Sequence, residues 1–168
     1  MTKPALRTDA DFDAFYERNW KYVYRLCFTY MKCEADAEDC AEDAFVKVLK
    51  GNISFSDQTH ERKWLTITAI NICKNMLKSH DRNNESIDDE TKPDIVAPEG
   101  EDYSELKDAV MALPPIYKDV VWLYYYDGYS TKEIAHMLNC PSSTIRNRLK
   151  DARIKLKHYL EREKNAES

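Results

Sequence analysis

Apolar residues recur along this chain at the three- and four-residue spacing of an amphipathic helix, and the pattern predicts helices from end to end. Residues 9–32 carry Phe12, Phe15, Tyr16, Val23, Leu26, Cys27 and Tyr30 on that period. Glu34–Lys50 is a second helix. Projected at about 100° per residue, it puts Ala37, Cys40, Ala41, Ala44, Phe45 and Val48 on one side and Asp36, Asp39, Asp43, Lys47 and Lys50 on the other. Acids at its front and lysines at its back suit the helix dipole. Gly51 ends it. Residues 52–61 read as a loop whose one aromatic, Phe55, either tucks into the core or stands exposed for stacking. Arg62–Ser79 is a third helix with Leu65, Thr68, Ala69, Ile72 and Met76 inward, Lys63, Asn71, Lys74 and Lys78 outward, and Trp64 and Asn75 at the edge.

The period is lost over 83–102, a stretch rich in acids with Pro93, Pro98 and Gly100, which reads as a flexible, self-repelling linker. It separates a module at 9–82 from a second at 103–163. In the second, residues 103–113 form a short helix stopped by Pro114-Pro115. Ile116–Tyr126 is the next, with Val120, Val121 and Leu123 inside and at least one of Tyr124, Tyr125 and Tyr126 at the surface. Asp127-Gly128 closes it.

Residues 129–160 then form a helix pair. Ser130 and Glu133 make a capping box at the first start. Asn139-Cys140-Pro141 is the break: Asn tolerates the left-handed backbone that ends a helix, and Pro suits the first turn of the next. The second helix keeps Ile145, Leu149, Ala152 and Leu156 inside and carries Arg146, Arg148, Lys150, Arg153, Lys155 and Lys157 outside. This is the helix-turn-helix plan, whose second helix enters the major groove of DNA. An antiparallel helix pair with a solvated basic face would show the same pattern. Residues from Glu161 onward are expected to fray.

Charge sharpens this picture. The net charge is −5, unlike that of an average nucleic-acid binder, but it is segregated. Ser142–His158 holds six Lys or Arg and one acid, while Asn83–Glu105 holds nine acids and one Lys. A local basic face is what phosphate binding needs, whatever the global balance. The outward face of the third helix adds amides and an aromatic to its lysines, a combination suited to single-stranded nucleic acid. The acidic face of the second helix is either solvated or a dock for a basic partner.

Candidate chemistry is thin. The five cysteines, Cys27, Cys33, Cys40, Cys73 and Cys140, are odd in number and lack C-x-x-C spacing, which argues against disulfides and zinc. There is no nucleophile–base pair or phosphate-binding glycine loop. No enzyme activity, cofactor or metal is therefore expected. No apolar signal region or run of transmembrane length occurs, so a cytoplasmic protein without membrane insertion is expected.

With these motifs on three separate segments, the chain resembles the extracytoplasmic-function subfamily of bacterial RNA polymerase sigma factors over nearly its whole length. Asp36–Phe45 (DAEDCAEDAF) is similar to that family's region 2.2, Trp64–Asn75 (WLTITAINICKN) to its regions 2.3–2.4, and Leu113–Leu156 to its region 4. The resemblance implies an all-α chain of two small helical modules, a region 2-like bundle and a region 4-like helix-turn-helix domain. It implies an alternative sigma factor that directs core polymerase to promoters. Asp36, Asp39 and Asp43 would dock on the polymerase clamp, with a further contact to the flap region. Phe55, Lys63, Trp64, Asn71, Lys74, Asn75 and Lys78 would serve the −10 element. Ser142, Ser143, Thr144, Arg146, Asn147, Lys150 and Arg153 would read −35 duplex. A partner anti-sigma factor is implied as well. The chain departs from the family pattern at Ile70, where Arg is frequent before the Asn, and at Asn139, where Gly is common.

Two other readings compete. One is a stand-alone helix-turn-helix regulator that binds operator DNA without polymerase. The other is a metal-dependent enzyme built on Cys33, Cys40, His60 and His80.

Overall fold

The structure is a computed structural model describing residues 9–51, 53–83 and 104–166. All regular elements among the described residues are helical: α1 (Asp9–Met31), α2 (Glu34–Gly51), α3 (Gln58–Asn83), α4 (Ser104–Ala112), α5 (Pro115–Val121), α6 (Thr131–Leu138) and α7 (Ser142–Ala166). The chain divides into two compact units, Met1–Ile95 and Val96–Ser168. The acidic stretch expected to link them lies outside the described residues, its first residue Asn83 apart.

In the first unit α1, α2 and α3 pack against one another around Phe15, Val23, Leu26, Phe45, Leu65 and Ala69. Lys32 ends α1 in the left-handed conformation, φ 59°. Its N–H donates to the Phe28 carbonyl at 2.9 Å, and the Cys33 carbonyl takes the Ala37 N–H at 3.0 Å, so the chain reverses within two residues. Burial pushes the Lys32 ammonium below its ordinary pKa. The buried side of α2 is Ala37, Cys40, Ala41, Ala44, Phe45 and Val48, as its period predicts.

Helix α3 differs from expectation in two ways. It begins at Gln58 rather than Arg62, because Asp57 caps it: the His60 N–H donates to Asp57 Oδ1 at 2.7 Å and the Glu61 N–H to the Asp57 carbonyl at 3.1 Å. Its buried stripe is Leu65, Thr66, Ala69, Ile70, Ile72 and Cys73, leaving Thr68 and Met76 only half-buried. The stripe is thus rotated towards Thr66 and Ile70. A tertiary bond sets that rotation: Tyr22 holds Thr66 inward, as described below.

The second unit packs α4, α5 and α7 around Val110, Leu113, Val121 and Ala152, with Tyr117 and Leu156 against them. Lys118 and Asp119 are buried there, each with an interaction partner. The helix expected over 116–126 is two pieces. It starts as α5 with Pro115 at the first helical turn, and Trp122–Tyr126 is a π-helical turn. The Asp127 N–H reaches back five residues to the Trp122 carbonyl at 3.1 Å. The wider turn stacks Trp122 on Tyr126, 4.6 Å between centroids, and leaves Tyr125 and Tyr126 exposed. Helix α7 does not fray at Glu161 but runs to Ala166, since E-R-E-K-N-A contains no helix breaker.

Candidate nucleic-acid interface

The helix-turn-helix is built by local bonds. Ser130 Oγ accepts the Glu133 N–H at 3.1 Å and starts α6. Asn139 takes the left-handed conformation, φ 53° and ψ 53°. The Asn139 N–H donates to the His136 carbonyl at 3.3 Å and the Cys140 N–H to the Ala135 carbonyl at 3.0 Å. This pair of bonds is a Schellman motif. Asn is among the few side chains that make the left-handed turn at low cost. The Pro141 carbonyl then accepts the Thr144 and Ile145 N–H groups at 3.0 and 3.3 Å and opens α7.

Ile145, Leu149 and Ala152 anchor α7 in the core. Ser143, Arg146, Asn147 and Lys150 are exposed. At about 100° per residue they fall within one stripe on the outer side. Ser142 and Arg153 flank this stripe, and Thr144, half-buried, lies away from it. Arg153 is also engaged: its Nε donates to the Tyr125 hydroxyl at 2.7 Å, with the guanidinium 5.8 Å from that ring. Lys155 leans over Tyr117 at 5.4 Å. Arg146 and Lys150 stand exposed towards the start of α7, the end that reaches base edges in this motif.

In the first unit the start of α3 is tied to α1. Arg18 grips Glu61 through two parallel bonds, Nε to Oε1 at 2.8 Å and Nη2 to Oε2 at 2.6 Å. Asn19 Nδ2 donates to the same Oε1 at 2.6 Å and to the Phe15 carbonyl at 3.0 Å. Arg62 Nε reaches Asn19 Oδ1 at 3.4 Å, and its guanidinium stacks 4.0 Å over the Tyr22 ring. Thr66 Oγ1 gives its proton to the Arg62 carbonyl at 2.7 Å. The Tyr22 hydroxyl, 2.7 Å from Thr66 Oγ1, is therefore the donor in that contact. The bond to Glu61 raises the Arg18 pKa above its ordinary value. Neither Glu61 nor its partners were legible as a cluster in the sequence; an acid just inside a helix start looks like any other.

The clamp fixes what α3 presents. Asn71, Asn75 and Lys78 are exposed and Trp64 is half-buried. At about 100° per residue these four share one face. Lys63 and Lys74, both half-buried, flank it. Ile70 is 1 % exposed, so in this chain the position is core rather than surface. Of the two places open to Phe55, the structure selects the core: it is 7 % exposed, stacked on Phe15 with centroids 5.8 Å apart and planes at 15°. Trp64 meets its edge at 5.8 Å and His60 at 5.5 Å. Phe55 therefore supports the loop from beneath, and Ser54, Ser56 and Asp57 form the loop's exposed surface.

On α2, Asp39 and Asp43 are exposed and Asp36 half-buried. The sequence pattern passed over Val46 and Leu49, which are 39 % and 55 % exposed. By helical projection Val46 shares the face of Asp39 and Asp43, and Leu49 continues from it. The face is acidic with an apolar border.

Comparison with known proteins matches both units. Residues 15–83 match the Sigma-70 region 2 family and residues 103–156 the Sigma-70 region 4 family. The ECF RNA polymerase sigma-E factor of Haemophilus influenzae is 31 % identical over 134 residues, covering 70 % of this chain and 71 % of that one. The ECF sigma factor SigE of Mycolicibacterium smegmatis is 26 % identical over 82 % of this chain, which spans 57 % of that protein's length. The fold of the sigma factor RpoE from Bartonella quintana, solved with the anti-sigma factor NepR, superposes with a TM-score of 0.68 at 18 % identity, covering 90 % of this chain and 97 % of that one. With both regions matched in order and relatives at this identity, the chain belongs to the ECF RNA polymerase sigma factors.

Proposed function

We propose that the two units divide promoter recognition between them, α7 reading −35 duplex and α3 holding the opened −10 strand, while α2 docks on core polymerase. The observation that carries this reading is the contrast between the two exposed faces. The α7 stripe of Ser143, Arg146, Asn147 and Lys150 is basic and polar, on a helix free to enter a major groove. The α3 face of Trp64, Asn71, Asn75 and Lys78 offers a ring edge, amides and a cation. Those are the groups that keep an extruded base out of the stack once unstacking has been met.

Asp36, Asp39 and Asp43, bordered by Val46 and Leu49, suit a basic helical partner on the polymerase clamp. A flap contact would fall to the second unit. Phe55 acts through the loop it supports. The Bartonella relative's complex supports an anti-sigma factor as a further partner. As a sigma factor the chain is a specificity subunit and does no chemistry of its own. Among the described residues no helix is long and apolar enough to cross a membrane. A stand-alone regulator is not favoured, because it would have no use for a region 2 unit.

In vitro transcription with purified core polymerase and a promoter library tests the reading. Starts at a shared pair of spaced elements are expected. Tight binding to an operator with no polymerase-dependent start would contradict it.

A further inference from the structure

Read along the sequence, the cysteines show no metal pattern, and among the described residues no three His, Cys, Asp or Glu side chains converge. The fold nevertheless brings one thiol onto both a second thiol and a thioether. Cys40 of α2 faces α3, where its Sγ lies 3.7 Å from Met76 Sδ and in hydrogen-bond contact with Cys73. Cys73 and Met76 are three residues apart, so α3 itself sets them on one face. Cys40 and Cys73 are fully buried, and Met76 is half-buried, at the rim between the sulfur cluster and solvent.

We propose that Cys40, Cys73 and Met76 form a site for Cu(I), held between α2 and α3 by two thiolates and a thioether. The ligand set selects the ion. Thiolate and thioether sulfurs prefer soft Cu(I), whereas structural zinc takes four tetrahedral ligands that this cluster does not supply. The spacing fits. A metal–sulfur bond of about 2.3 Å in a trigonal plane separates the sulfurs by about 4.0 Å, so the Cys40–Met76 pair needs to open by only about 0.3 Å. The balance is simple: one Cu(I) enters, two S–H bonds ionise, two protons leave to solvent, and nothing is oxidised or reduced. Met76, half-buried at the rim, is the ligand past which the ion enters. Once bound, the ion would tie α2, with its acidic face, to α3, with its amide face.

The test uses the whole chain without oxygen, with Cu(I) delivered from its complex with a coloured chelator. One equivalent should transfer. Cys40→Ala and Cys73→Ala should each weaken retention roughly tenfold or more, and Met76→Leu less. Cys33→Ala and Cys140→Ala, at half-exposed thiols outside the cluster, should leave it unchanged. Core substitutions can loosen the fold, so the unaltered chain is also melted with Cu(I) and with Zn(II). Cu(I) at 100 times its Kd should raise the midpoint of the first unit by about 10 °C or more, and Zn(II) should not. Absence of transfer, transfer that survives loss of Cys40 and Cys73, an unmoved midpoint, or recovery of a Cys40–Cys73 disulfide in place of bound metal would each overturn the proposal.

Discussion

In the first unit the start of α3 is held by Arg18 and Asn19, more than forty residues away in sequence; in the second, the start of α7 is held by its own turn, through Asn139, Cys140 and Pro141. Both devices orient a helix that the proposed function brings to nucleic acid, but they use different interactions to do it. The long-range clamp orders a helix whose exposed face, on that proposal, holds single bases in one geometry. The local turn orders a helix that, on the same proposal, needs only to lie in a groove, with Ile145, Leu149 and Ala152 beneath it. The difference teaches where each unit is vulnerable: the first to loss of a polar partner, the second to loss of core volume.

The largest effect should come from Leu149→Ala, which removes a buried side chain between α7 and its core and should cost about 2–5 kcal/mol. Hydrogen exchange read residue by residue should show faster exchange over α5–α7 and none of the change in α1–α3. A change that spreads to α1–α3 would break the separation of the units. Glu61→Ala should come next, at about 2–3 kcal/mol in urea unfolding of the whole chain. Asn19 is buried and cannot turn to water, whereas Arg18, 37 % exposed, can. Exchange should quicken at the start of α3 and stay unchanged in α7.

Arg146→Ala should cost about 1–3 kcal/mol in binding −35 duplex if it reads a base, measured at one fixed salt concentration. Arg153→Ala should cost less, because its Nε is already committed to Tyr125; equal losses would show that the Tyr125 bond does not survive in the complex. The smallest effect is at the cap. Ser130→Ala should lower stability by about 1 kcal/mol in thermal melting followed through the second unit, and a loss several times larger would mean that Ser130 does more than start α6.

How far these features could be read from the sequence follows from the same contrast. Ser130, Glu133, Asn139 and the apolar side of α2 were legible because their cause lies within one or two helical turns. The rotation of α3 and the burial of Ile70 and Phe55 were not, because their causes are on α1: Phe15 stacks on Phe55, Tyr22 bonds Thr66, and Arg18 and Asn19 hold Glu61. The π turn at Trp122–Tyr126 escaped for a third reason. One extra residue in a turn alters the period too briefly for an apolar pattern to register it. Among the proposed site residues, those on α7 could be placed from periodicity alone, while how far the face of α3 turns outward depended on the tertiary clamp.

The central claim is that strand opening belongs to α3 and duplex reading to α7. It is tested most directly by Asn71→Ala in holoenzyme on a promoter selected by the unaltered protein, with −35 duplex binding and open-complex formation measured on the same DNA. Asn71 is exposed, so the variant should fold. Open-complex formation should fall while −35 duplex binding is unchanged; an equal fall in both, or no fall in opening, would contradict the division of labour.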